Sequence, residues 1–184
     1  LYGVHVNPIN VARESTDGLD FSATMRWETR AGNFGINAGY TWVNSHDIQV
    51  YPDEPVVDMF SVNSGYDIPR SKANLRLSWS KGAWSASLQG RRLGSLPNGW
   101  SYDEVWEEGD PGPTIPATYR YNLNMQYMFT DHSRLAFTVV NLFDTMPPVD
   151  PTYTAYPYYD ISWFDTMGRT YYLQYTHKFG GAGL

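Results

Sequence analysis

The residues best equipped for ligand chemistry fall in two aromatic-rich stretches. Trp100, Tyr102 and Trp106 share the first, with Asp103, Glu104, Glu107, Glu108 and Asp110 set among them. Tyr153, Tyr156, Tyr158, Tyr159, Trp163 and Phe164 share the second. Flat rings beside carboxylates can stack on sugar faces while the acids bind hydroxyls. The same rings could instead pack the loops into a lid. The five acids of the first stretch are the densest oxygen-donor group and the candidate for Ca²⁺, a cation that takes several carboxylate and carbonyl oxygens. The alternative is a solvated charged loop. Arg91 and Arg120 could contact a substrate or, as the readier partner, a protein element inside the fold. An acidic surround favours neutral sugars or peptides over anionic ligands.

Other chemistries find less support. Cysteine is absent, which excludes a thiolate metal site, a disulfide framework and a cysteine nucleophile. His5, His46, His132 and His177 occupy unrelated places, and no Ser–His–Asp set converges, so no catalytic role is expected. No glycine-rich phosphate cradle occurs, and no basic aromatic surface for nucleic acid.

The elements that must position these residues follow from strict alternation. Leu19, Phe21, Ala23, Met25 and Trp27 alternate with polar neighbours, as do Phe34–Trp42, Ala73–Trp79 and Trp84–Gly90. Tyr119, Tyr121, Leu123, Met125, Tyr127 and Phe129 are interleaved with Arg120, Asn122, Asn124, Gln126 and Met128. Leu135–Val139 and Tyr171–Phe179 complete a set of seven strands. A period of two over up to ten residues means a strand with one apolar face. Thirty aromatic residues, with Thr, Val and Ile, favour strand over helix. No apolar run approaches the ~20 residues of a membrane helix.

Connections alternate between short turns (Arg30–Asn33, Lys81–Ala83, Thr130–Ser133) and long loops (Asn44–Pro69, Ser95–Ala117, Asp144–Gly168). Outer-membrane barrels have short periplasmic turns and long extracellular loops. Trp27, Phe34, Trp79, Trp84 and Phe129 mark the short-turn end; Tyr40, Trp42, Tyr119, Tyr121 and Tyr171 mark the other. Amphipathic rings settle at the two membrane interfaces. A soluble β-sandwich is the competing fold, but it gives no reason for loop lengths to alternate. The three long loops hold five, five and four of the 19 acidic residues and none of the 13 Lys and Arg. Arg26, Arg76, Arg91, Arg120 and Lys178 fall on the polar phase, predicting a basic lumen beneath an acidic mouth.

The expected fold is therefore all-β, a transmembrane antiparallel β-barrel in a bacterial outer membrane, with the C-terminus on the periplasmic side. Seven strands would leave open edges, and eight, if Leu1–Val11 adds one, would make a barrel filled by its own side chains. The chain is thus expected to be a mature fragment or one piece of a longer polypeptide.

Val140–Pro148, with Asn141-Leu142-Phe143-Asp144 followed by Pro147-Pro148, resembles a segment near the end of TonB-dependent outer-membrane receptors. Gly168-Arg169 leading through Tyr171-Tyr172-Leu173 to Phe179 resembles their last strand. Gly18-Leu19-Asp20 after Asn10, and Ile68-Pro69-Arg70-Ser71-Lys72-Ala73-Asn74-Leu75, resemble earlier strands of the same family, in the same order. The chain departs from the family where Gly180–Leu184 extends past the Phe and where His177 sits on the lipid phase. The resemblance implies the C-terminal part of a barrel of about 22 strands, closed by an internal plug, that actively imports a scarce nutrient such as a siderophore, oligosaccharide, peptide or vitamin. It implies as partners the lipid bilayer, the remaining strands and plug, and the TonB–ExbB–ExbD system, with a surface lipoprotein as a further candidate. Neither plug nor TonB box lies in residues 1–184. A passive porin or structural barrel is the rival reading.

Overall fold

Residues that alternate apolar and polar bury nothing by coiling into a helix, but in a strand they sort onto opposite faces. That is what the chain does. The computed structural model describes residues 12–60, 68–97, 114–150 and 155–179. Its strands are β1 (Arg13–Thr29), β2 (Gly32–Gln49), β3 (Val57–Asp58), β4 (Ser71–Lys81), β5 (Trp84–Leu93), β6 (Leu96–Pro97), β7 (Thr114–Ile115), β8 (Thr118–Thr130), β9 (Ser133–Val140) and β10 (Thr170–His177). The seven long strands form one antiparallel meander, β1-β2-β4-β5-β8-β9-β10, with β3 paired to β2; β6 and β7 pair separately.

Register carries each face across the sheet. One row across the sheet reads Arg26, Gly35, Ser78, Ser87, Asn124, Thr138, Tyr172. The adjacent row reads Met25, Ile36, Leu77, Leu88, Leu123, Val139, Tyr171. A slip of one residue on any strand would exchange its faces. Among the described residues nothing packs against the apolar face: Phe21, Met25, Leu77, Met125, Phe137 and Leu173 are all exposed. A sandwich would cover that face with a second sheet, so the sandwich alternative fails. Two open grooves run along the polar face, one lined by Arg26, Arg76, Ser78 and Asn124, the other by Asp20, Lys72, Asn74 and Arg91.

At the short-turn end the aromatic girdle is built from ring pairs. Trp27 stacks on Phe34 with centroids 5.5 Å apart, Trp84 lies 4.5 Å from Tyr127, and Tyr127 meets Phe129 at 4.8 Å. The Trp79 indole N–H donates to the Ala31 carbonyl at 2.9 Å, giving its polar tip a partner. Gly32, at φ 124°, serves the β1–β2 turn, because a Cβ there would lie 2.5 Å from the Ser80 carbonyl.

Three boundaries differ from those expected. β1 begins at Arg13 rather than Leu19, and β2 runs to Gln49, beyond the expected start of the loop at Asn44. At about 3.3 Å per residue, 17 residues in β1 span roughly twice the apolar band. The pair continues past a bulge at Asp17/Gly18, where Asp17 accepts hydrogen bonds from Asn44 (3.0 Å) and Ser45. These bonds hold the Asp17 carboxyl below its ordinary pKa, Ser45 contributing most. The Ser95–Ala117 loop contains the short pair β6–β7, and the last strand ends at His177, two residues before Phe179. Leu1–Val11, the expected eighth strand, lies outside the described residues.

The segment Asn141–Asp144 is a turn that closes β9. Asn141 is fully buried at φ 54°. Its side chain donates to the Thr145 carbonyl (3.0 Å) and accepts from the Thr145 N–H (2.9 Å). Its own N–H donates to Asn122 at 2.9 Å. Asp144 then accepts the Arg169 N–H at 2.7 Å, and a Cβ on Gly168 would come 2.9 Å from the same carboxylate oxygen. Gly168-Arg169 and Asn141–Asp144 thus clasp the two ends of the intervening loop.

Candidate functional site

Three of the candidate residues meet at the long-loop end of the polar face. Arg91 on β5 stands directly opposite Arg120 on β8, so both guanidiniums project from the same side of the sheet. Like charges in that relation repel. The loop between β9 and β10 relieves one of them: Asp165 lies 3.4 Å from Arg120 Nη1, and the Met167 carbonyl accepts from Nη2 at 2.7 Å. Asp165 is itself held by the Met167 N–H at 2.9 Å. With half its side chain in water, the ion pair is worth no more than about 1 kcal/mol. It sets position more than stability. Arg91 makes no ion pair among the described residues.

Above the two arginines the same loop folds inward. Leu96, Ile115, Tyr159 and Phe164 form a buried cluster, with Leu93 and Trp163 packed against it. The cluster unites β6, β7 and the β9–β10 loop. Lys72 Nζ sits 4.6 Å from the Trp163 ring centroid, a cation–π contact that ties the ring to β4. Beside it lies a partly open cavity of about 170 Å³ lined by Arg91, Arg120, Thr118, Met146, Trp163 and Asp165, among others. One indole wall, two guanidiniums and one carboxylate can stack on a flat or apolar ligand group while pairing with an anionic one.

Tyr156 and Tyr158 stand apart from this cavity. They meet edge to face at 6.3 Å and are 82 % and 47 % exposed. Within the second aromatic stretch the two alternatives therefore divide. Tyr159 and Phe164 pack a lid, Trp163 joins that lid and lines the cavity, and Tyr156 and Tyr158 face outward. Trp100, Tyr102 and Trp106 lie outside the described residues, as do Tyr153 and the Ca²⁺ candidates Asp103, Glu104, Glu107, Glu108 and Asp110. Among the described residues no group of three or more His, Asp or Glu side chains could hold a metal ion. Lys72 and Asp165 were not singled out from sequence. Lys72 sits on the polar phase of its strand, a visible signal, whereas nothing separates Asp165 from the other loop acids.

Comparison with known proteins fits this geometry. A family profile described as TonB-dependent receptor-like, β-barrel, matches residues 3–142. No curated protein matches the chain. Among solved structures, two mutants of the ferric enterobactin receptor of Pseudomonas aeruginosa superpose with TM-scores of 0.58 and 0.56 at 18% and 19% identity, each over 88% of this chain and 22% of theirs. A siderophore receptor of Acinetobacter baumannii superposes at 0.50 and 16% identity, over 75% of this chain and 19% of its own. At such identities the likeness is one of fold. The chain spans about a fifth of the length of these structures.

Proposed function

Since the chain belongs to the TonB-dependent receptor-like β-barrel family, we propose that it forms the C-terminal part of an outer-membrane active importer. In this reading other strands complete the ring, an internal plug fills it, and TonB with ExbB and ExbD energises passage. The long loops face the medium and the chain ends toward the periplasm. The reading involves binding and transport, with no bond-making step and no cofactor.

The observation that carries it is the two-faced sheet. An uncovered apolar face suits hydrocarbon, and the opposite face presents a roofed cavity between Arg91, Arg120 and Trp163. A passive pore needs no such roof over its lining. The basic floor supports an anionic, ring-bearing metal chelate as substrate better than the neutral sugar or peptide that the acidic loops suggest. The structural neighbours are receptors for ferric enterobactin and for a siderophore.

The test is uptake of labelled ferric chelates by cells carrying the complete protein, with and without TonB. The reading expects uptake at low substrate concentration to require TonB and proton-motive force. Uptake that persists without TonB would replace it with a porin. Within TonB-dependent uptake, Arg120→Ala and Trp163→Ala should raise the half-saturating concentration.

A further inference from the structure

Toward the short-turn end the polar face keeps its cations but loses their partners. The row next to Arg91 and Arg120 reads Thr24, Asn37, Arg76, Gln89, Asn122, and the one after it begins at Arg26 and runs through Gly35, Ser78 and Ser87. From β1 to β8 the charged side chains of these three rows are four arginines, with no acid among them. Arg26 and Arg76 make no ion pair and no hydrogen bond among the described residues. Glu28, two residues beyond Arg26, edges the groove and is likewise without an ion pair there.

The wall between the two arginines is hollow. Gly35 stands between Arg26 on β1 and Ser78 on β4, and a Cβ on it would lie 2.6 Å from the Ser78 hydroxyl oxygen. Ser78, Ser80, Ser85 and Ser87 add only short side chains, and the groove they line shares no residue with the Arg91–Arg120 cavity. Arg76 is one strand and two residues from Arg91, about 8 Å, and Arg26 lies two strands and two residues further, about 12 Å. Two long guanidinium side chains starting so far apart can hold one ligand with several oxygens between them.

Inside a closed ring, unpaired guanidiniums call for an anion. The cations run from the cavity floor toward the short-turn end, the direction that import requires. A wall packed permanently against a protein element would fix its charges in pairs, whereas free cations beside open hydroxyls suit an occupant that comes and goes.

We propose that Arg26 and Arg76, over the Gly35–Ser78 floor, form a second anion site on the barrel wall, which receives the acidic oxygens of the cargo after it leaves Arg91 and Arg120. The site rests on the importer reading and takes the carboxylate or catecholate oxygens of a hydrophilic polyanion. It divides the passage into two short transfers, each ending on a cation.

The test places a thiol on the floor, with Ser78→Cys in the complete receptor in neutral detergent. The probes are two methanethiosulfonates, one bearing a sulfonate and one a trimethylammonium group, and peptide mass spectrometry reads modification at position 78. Their rate ratio, taken relative to 2-mercaptoethanol in the same buffer, should favour the sulfonate about tenfold. Arg26→Gln and Arg76→Gln should each remove about threefold of that gain and together all of it, whereas Arg76→Lys should keep it. A ratio indifferent to the arginines overturns the proposal. So does failure of both reagents to reach position 78 in receptor with folded, heat-modifiable mobility, because the plug then fills the hollow. In cells, the Arg26→Gln, Arg76→Gln double variant should lower the maximum rate of TonB-dependent uptake of labelled ferric tris-catecholate at an unchanged half-saturating concentration. The opposite split overturns the hand-off. Uptake independent of TonB would sink the importer reading alone, and the thiol rates would still decide the anion site.

Discussion

Replacing Asn141 offers the sharpest test of how the loop over the cavity is held. The side chain makes two hydrogen bonds to the Thr145 backbone from a left-handed residue with no solvent access. Each bond is worth about 1 kcal/mol net. Alanine loses both, and its Cβ costs about 1 kcal/mol more in this conformation. Asn141→Ala should therefore lower the opening free energy of the turn by about 3 kcal/mol, or accelerate exchange of the Thr145 amide about a hundredfold. Asn141→Gly loses the same bonds but not the backbone preference, so its effect should be smaller by about 1 kcal/mol. Hydrogen exchange of the segment 141–146 in the complete receptor, in detergent, reads both numbers. Protection unchanged in both variants, or weaker in Gly than in Ala, would refute the account of Asn141 as a strained clasp.

Other perturbations have expected outcomes of their own. Gly32→Ala forces a Cβ against the Ser80 carbonyl and should destabilise by about 2 kcal/mol or more in urea titrations, whereas Gly82→Asn, at φ 55° with open space around it, should cost under about 1 kcal/mol. Asp17 has a lowered pKa in the folded chain, so its contribution is complete above its ordinary value of 3.8 and is lost as pH falls through the lower folded value. Amide protection in β1–β2 above the bulge should fall over that acid window, and Asp17→Asn should flatten the dependence. Asp165→Asn should free the loop from Arg120 by under about 1 kcal/mol, seen as greater acrylamide quenching of Trp163 fluorescence that salt reproduces in the wild type. Spin labels at 76 and 124 should report an aqueous setting and at 77 and 123 a lipid one; the reverse on two strands would sink the barrel assignment.

All seven long strands were legible because hydrocarbon on one face and water on the other write a period of two into the residues. The signal stops where that asymmetry stops. Ser15, Thr16 and Asp17 pair with Asp47, His46 and Ser45 where neither face need be apolar, so the far end of β2 beyond Asn44 read as loop although its backbone is paired. Asp17–Ser45 and Glu14–His46 contacts stabilise it instead of burial. The roof cluster was hidden for another reason. Leu96, Ile115, Tyr159 and Phe164 come from segments far apart in sequence with no common period. Arg91 and Arg120 were readable from phase, but their opposition needs register, which alternation alone does not fix.

The meander also carries a sense of direction. β1 descends from the long-loop end to its short turn, and six strands later β10, the seventh of the meander, descends the same way. The two free edges of the described sheet therefore point alike. Brought together they could form only a parallel ladder, while every other neighbour in the sheet is antiparallel. Any set of strands inserted between them must begin and end with an ascending one, so their number is odd. A ring of about 22 strands, the size of plugged outer-membrane transporters, leaves about 15 to be supplied. Such a set has a first and a last strand of identical heading, and can dock onto this sheet in only one orientation.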